Sequence, residues 1–156
     1  MKVAIGSDHR GFHLKQAMAE LLRDMGLEYH DFGCYDTSSV DYPDVAQQVA
    51  REVQRGEFDH GVLICGTGIG MSIAANKMPG IRAAPCYNPF SARMAREHNN
   101  ANILCLGGEL LGPELAQEIA RAYFSSSFQG GRHQRRIEKL SHLEEQGAAE
   151  PASEGR

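Results

Sequence analysis

The chain has 156 residues, of which 42% are hydrophobic, and its formal net charge is −4. This length and apolar content suit one domain with a real core, and the acidic balance argues against a nucleic-acid partner. Small molecules or a second copy of the chain are the expected partners. The first apolar segment is too short for a secretion signal, and none is long enough to span a membrane, so we expect a cytoplasmic protein.

The predicted elements alternate between strands and helices along the chain. A short apolar run predicts a buried strand at residues 2–6, and apolar residues at helical spacing predict a helix at 12–25, ended by Gly26. The same two patterns predict further strands at 28–32, 61–65, 81–86 and 102–106, and helices at 44–54, 71–77, 90–97, 113–125 and 132–145. Apolar periodicity is then lost, so residues 146–156 are predicted to be a disordered tail.

Strands that alternate with helices pair in parallel through right-handed crossovers. We therefore predict a single domain over residues 1–145, built as a three-layer α/β/α sandwich around a Rossmann-like, doubly wound sheet of about five parallel strands. Ligands bind such sheets at the carboxyl ends of the strands. The loops that matter for function are then 7–11, 65–70, 87–89 and 107–112.

The densest motif is a glycine-rich loop between a predicted strand and a helix, Cys65-Gly66-Thr67-Gly68-Ile69-Gly70. Alternating glycines let backbone N–H groups converge, and the following helix adds the positive end of its dipole, so the loop favours an anion. A tight turn that only permits close packing is the alternative. A dinucleotide site fits poorly, because no acidic residue lies between Cys65 and Arg93 to contact a ribose. No Gly-Lys-Ser/Thr follows the glycines, which excludes a P-loop.

Cys65 stands where the strand ends and this loop begins, so the same dipoles favour its thiolate, which could act as a base or a nucleophile. Cys34, Cys86 and Cys105 lack a comparable loop and are expected to be buried and inert, with Cys86 the least clear because it also ends a strand. The four cysteines form no C-x-x-C pair, and we predict no metal site.

Other polar residues fall near predicted strand ends. Asp8 could cap the next helix or contact a substrate, and His9 could bind phosphate or move protons. A lone histidine at the position of His98 is most often a surface residue, and only the other polar residues near the strand ends favour a functional role for it. Arg132 and Arg136 are spaced i, i+4 on one predicted helix, where they could grip a phosphate together or form part of a solvated basic face.

Six motifs of the chain occur in the order and spacing of a known family. They are Ser7-Asp-His-Arg-Gly11, Asp41-Tyr-Pro43, the segment from Cys65 to Lys77, Gly80-Ile-Arg-Ala83, Glu97-His-Asn99 and Gly130-Gly-Arg-His133. Over roughly residues 1–143, the chain closely resembles the ribose-5-phosphate isomerase B family, which also contains allose-6-phosphate and galactose-6-phosphate isomerases.

The resemblance implies an aldose–ketose isomerase without metal or other cofactor, in which Cys65 takes the proton from C2 of the sugar and returns it at C1. Thr67 and His98 would help to open the sugar ring. The backbone amides of the glycine-rich loop would hold the enediolate, and the residues concerned are Gly66, Gly68, Ile69 and Gly70.

The resemblance also implies a substrate pocket at a homodimer interface. Asp8 and Asn99 would bind sugar hydroxyls, and Tyr42 would line the pocket. The phosphate would be bound by His9, Arg132 and Arg136. A six-carbon 6-phosphate substrate and a non-catalytic sugar-phosphate binding module remain alternatives, and the dimers could pair into a tetramer.

Overall fold

A computed structural model describes residues 1–149 as a single five-stranded sheet with helices on both faces. The strands are β1 (Lys2–Ser7), β2 (Glu28–Asp31), β3 (His60–Cys65), β4 (Ala83–Pro85) and β5 (Ile103–Gly107). The helices are α1 (Phe12–Asp24), α2 (Tyr42–Gln54), α3 (Ile69–Ala75), α4 (Pro89–Glu97), α5 (Pro113–Phe124) and α6 (Arg132–Ala149). Every predicted strand and helix is present.

The strands pair in parallel throughout, in the order β2-β1-β3-β5-β4. Residues of α1, α4 and α5 share one hydrophobic cluster on one face, and residues of α2 and α3 share a second cluster on the other. The predicted three-layer, doubly wound architecture is confirmed.

The central strands β3 and β5 are buried along their whole length. Because helices cover both faces of a parallel sheet, such strands read as continuous apolar runs rather than alternating ones. Leu63, Ile64, Leu104 and Leu106 are all fully buried, and burial of each side chain contributes about 1.5–3 kcal/mol. The site therefore stands on a rigid support.

Some boundaries differ from the prediction. Helix α2 begins at Tyr42 instead of residue 44, because Pro43 occupies the first turn, where its missing N–H costs nothing. Strand β4 is shorter than predicted, at the edge of the sheet. Helix α6 continues to Ala149, so residues 146–149 are helical where a disordered tail was expected. The rest of that predicted tail, residues 150–156, lies outside the described residues.

The sheet has a switch point between β1 and β3. Helix α1 leaves β1 toward one face, whereas α3 leaves β3 toward the other. The two strands end side by side, since Ser7 pairs with Ile64, and Cys65 pairs with Gly107 of β5. Loops that diverge in this way leave a crevice at the carboxyl ends of the strands, which is where doubly wound sheets bind ligands.

Candidate active site

The crevice contains a cavity of about 470 Å³. Seven of the residues predicted for the site line it, namely Asp8, His9, Tyr42, Cys65, Gly66, Thr67 and Gly70. Gly68 and Ile69 lie in the same loop, at the start of α3. All nine predicted site residues between Asp8 and Gly70 therefore lie in or beside this cavity.

The Cys65 side chain is held by the loop that follows it. Its Sγ accepts a hydrogen bond from the backbone N–H of Gly68 at 3.2 Å, and the residue is only 5% exposed. Gly68 has a φ of +80°, a left-handed conformation that glycine adopts without strain. This conformation turns the amide back toward the sulfur and points a positive dipole at it.

Two further hydrogen bonds hold Thr67 in place. Its Oγ1 accepts a hydrogen bond from the Ile69 amide at 3.2 Å, and its carbonyl accepts one from the Tyr87 hydroxyl at 3.1 Å. Two amides of the predicted anion loop, those of Gly68 and Ile69, are therefore already bonded to side chains of the loop. The amides of the first turn of α3 that follow them, including that of Gly70, have no intrahelical acceptor and could bind an oxyanion.

Asp8 closes a turn ahead of α1 rather than capping that helix, whose N-cap residue is Gly11. Its Oδ1 accepts hydrogen bonds from the amides of Arg10 and Gly11 at 2.9 and 3.1 Å, which closes the turn before α1. The side chain is buried against the protein yet lines the cavity. Since both bonds go to one oxygen, Oδ2 can still accept a hydrogen bond from a bound hydroxyl.

His9 is oriented by the loop between β2 and α2. The Val40 amide donates to His9 Nδ1 at 3.3 Å. With Nδ1 as acceptor, the neutral imidazole carries its proton on Nε2, which can donate to an anion. Ser39, Val40 and Asp41 also line the cavity. Asp41 belongs to the Asp41-Tyr-Pro43 motif, and its position next to Ser39 and Val40 was the only sequence signal for those two residues.

Sequence reasoning also missed Arg10 and Glu109. Both line the cavity, and Arg10 Nη1 lies 3.3 Å from Glu109 Oε1. Arg10 belongs to the loop after β1 and Glu109 to the loop after β5. Both loops were predicted to face the site, and a charged side chain in such a loop was the available signal.

Four predicted residues lie elsewhere. His98 ends α4, and its ring stacks on that of His133 with the centroids 4.1 Å apart. Burial, and then the nearby His98, Arg132 and Arg136, lower the pKa of His133. We call His98, Asn99, Arg132 and Arg136 the basic cluster.

The basic cluster cannot reach Cys65 of its own chain. His98 and Asn99 precede β5 and so lie at the amino edge of the sheet, whereas Cys65 ends β3 at the carboxyl edge. Strand β3 has six residues, and the five steps between them at about 3.3 Å each separate these edges by roughly 16 Å. Within one chain, Cys65 and the basic cluster therefore lie at opposite edges of the sheet.

The other cysteines are buried, as predicted. Burial raises the pKa of the Cys86 thiol to about 11, and that of Cys105 well above its usual value. Both thiols are consequently protonated near neutral pH. In the described part of the chain, His, Cys, Asp and Glu side chains form no group that could hold a metal ion. Among residues 1–149, no helix combines the length and apolar character needed to cross a bilayer.

The architecture and the cavity define an α/β protein with a small-molecule site at the switch point of a doubly wound sheet. Comparison with known proteins identifies the family. Residues 3–140 match the model of the Ribose/Galactose Isomerase family, and the chain belongs to this family, as its motifs predicted.

Full-length relatives agree with this family assignment. The chain is 54% identical over 146 residues to a putative sugar phosphate isomerase, YwlF, of Bacillus subtilis, covering 93% of this chain and 98% of the relative. It is 46% identical over 144 residues to ribose-5-phosphate isomerase B of Escherichia coli, covering 92% and 97%. The solved structure of Clostridium thermocellum ribose-5-phosphate isomerase B superposes with a TM-score of 0.93 at 52% identity, covering 94% of this chain and 99% of that one.

Proposed function

We propose that this protein interconverts ribose 5-phosphate and ribulose 5-phosphate, with Cys65 as the base. The observation that carries the proposal is a cysteine sulfur in a cavity, at the end of a buried strand, with the Gly68 amide bonded to it. The family assignment and the relatives named ribose-5-phosphate isomerase B support the substrate.

The reaction starts from the open-chain sugar, because the closed ring has no carbonyl. Thr67 assists ring opening, since its Oγ1 accepts the Ile69 amide and leaves the hydroxyl hydrogen free to donate. The Cys65 thiolate then takes the proton from C2, and the electron pair moves through C1 to the carbonyl oxygen. The product of this step is an enediolate with its negative charge on O1.

The second half returns the proton. The Cys65 thiol protonates C1, a proton passes from O2 to O1, and the carbonyl forms at C2. Amides in the first turn of α3, including that of Gly70, stabilise the oxyanion as it develops. Asp8 Oδ2 accepts from a sugar hydroxyl, and His9 Nε2 donates to the phosphate.

The complete site forms between two copies of the chain. The basic cluster carries the cations that a sugar phosphate requires, but it lies at the opposite sheet edge from Cys65. In a twofold dimer, the second copy would bring its basic cluster to the cavity of the first copy. The first copy would do the same for the second, because such interfaces are reciprocal. Exposed apolar side chains on α6, those of Leu140 and Leu143, offer surface for this contact.

Turnover tests the reaction. Wild-type protein with EDTA should convert ribose 5-phosphate, and Cys65→Ala should lower kcat by about 10²–10⁴-fold, the usual contribution of a positioned base. Cys86→Ala, which removes a buried thiol outside the cavity, is the matched control and should keep near-normal turnover. Full activity of Cys65→Ala would exclude this base. Preference for allose 6-phosphate or galactose 6-phosphate would keep the mechanism and replace the substrate.

Complementation tests the shared site. Cys65→Ala and His98→Ala chains are co-expressed with different tags, and the heterodimer is purified through both. If Cys65 of one chain works with His98 of the other, each heterodimer has one intact site and shows about half the wild-type turnover. If each site lies within one chain, every site carries a lesion and the heterodimer is no better than the two variants. Light scattering on the wild type gives the copy number, dimer or tetramer.

The proposed compartment is the cytoplasm. All four cysteines are free thiols in the structure, which is the usual state in a reducing compartment. Fractionation of cells that express the tagged protein tests this location.

A further inference from the structure

The loops after β1 and β5 place an ion pair in the wall of the cavity. Arg10 Nη1 contacts Glu109 Oε1 at 3.3 Å and Oε2 at 3.4 Å. A β-carbon built on Gly66 would lie 2.9 Å from Glu109 Oε2 and 3.2 Å from Arg10 Cδ. The pair therefore packs directly on the residue that follows Cys65. Nothing in the mechanism above uses it.

The pair is loose enough to change partners. The Arg10 and Glu109 side chains are 58% and 51% exposed, and the two contacts are long for a charge-assisted hydrogen bond. Solvent-exposed pairs of this kind add little to stability. Glu109 engages only Nη1, so the other guanidinium N–H groups remain able to bind a further anion.

The charges around the cavity show what Arg10 can supply. Three carboxylates line it, those of Asp8, Asp41 and Glu109, and Arg10 is the one arginine or lysine that does so within residues 1–149. A dianionic phosphate would meet net repulsion from these groups alone. The arginines of the basic cluster approach only from a second copy, so Arg10 is the cation that each chain provides for itself.

We propose that Arg10 is a phosphate-binding residue of the same chain as Cys65, and that Glu109 is a positioning residue that competes with the phosphate for it. This inference rests on the proposed function, since it assigns Arg10 to the phosphate of that substrate. Glu109 holds the guanidinium through Nη1, and the Arg10 Cδ lies beside Gly66. When the phosphate arrives, Arg10 forms stronger, charge-assisted bonds with it and its contact with Glu109 loosens.

The two members of the pair should act in opposite directions. Arg10→Gln removes a charged donor and should raise the Kd of inorganic phosphate about tenfold, with a similar rise in KM for ribose 5-phosphate and little change in kcat. Glu109→Gln keeps an oxygen for Arg10 but removes the competing negative charge, so it should lower both constants a few-fold. Arg10→Lys should recover part of the loss, because it keeps the charge without the forked donor.

The experiment is calorimetric titration of each variant with inorganic phosphate, followed by steady-state kinetics. Arg55→Gln is the matched control, since the exposed Arg55 side chain pairs with Glu52 at 3.4 Å at the end of α2, away from the cavity. Unchanged phosphate affinity in Arg10→Gln relative to Arg55→Gln overturns the proposal, as does weaker binding in Glu109→Gln. If wild-type protein binds phosphate through Arg10 yet converts no ribose 5-phosphate, the proposed reaction fails while this assignment stands.

Discussion

Substitution of Gly68 by alanine tests the structural basis of the site. The residue has a φ of +80°, and a non-glycine residue in the left-handed region costs about 1–2 kcal/mol. The new β-carbon would also lie 3.0 Å from the Leu106 carbonyl carbon, a backbone atom of the central strand that cannot move aside. Overpacking of this kind adds about 1–3 kcal/mol. We expect a total loss of about 2–5 kcal/mol in the free energy of unfolding.

Gly56→Ala separates the two contributions. Gly56 has a φ of +76° with no heavy atom within 4 Å of the new β-carbon, so only the conformational cost of about 1–2 kcal/mol applies. Both variants are unfolded in urea at the same protein concentration, because association contributes to apparent stability. The kcat of Gly68→Ala should fall by about tenfold or more, as its amide shifts away from the Cys65 sulfur. Equal stability losses in the two variants, or full turnover in Gly68→Ala, would refute this reasoning.

Two further predictions concern buried titratable groups. Burial, and then Arg96, lower the pKa of His60 from 6.5 to about 4, so its neutral form stabilises the fold fully above pH 6.5 and this contribution is lost as the pH falls toward 4. Between these pH values the unfolding free energy of wild type should fall more steeply with decreasing pH than that of His60→Gln. The difference in slope corresponds to the uptake of up to about one proton on unfolding, and parallel curves would contradict this. In alkylation with iodoacetamide near pH 8, mass spectrometry should find Cys65 modified before Cys86 and Cys105, whose pKa values burial raises. Equal rates for the three thiols in the folded protein would show that the cavity does not activate Cys65.

Local patterns were sufficient to predict much of the site. The Cys65 loop could be recognised because glycines, a strand end and a helix start occur within a few residues, and a single turn brings them together. Asp8 and His9 follow the neighbouring strand in the sheet, so the parallel topology alone predicted their proximity to Cys65. Arg10 and Glu109 could not be paired in this way, since 99 residues separate them along the chain.

The sequence by itself determined the order of the elements, the parallel sheet and the edge at which the cavity forms. Periodicity and turn residues are local properties, and a parallel β-α sheet has few alternative topologies. Only the tertiary structure decided that His98, Asn99, Arg132 and Arg136 lie at the opposite edge from Cys65, and that Arg10 takes a place beside it. Position along the chain does not fix distance in space. The family motifs group these residues by function, but some of them lie at the amino ends of the strands and others at the carboxyl ends.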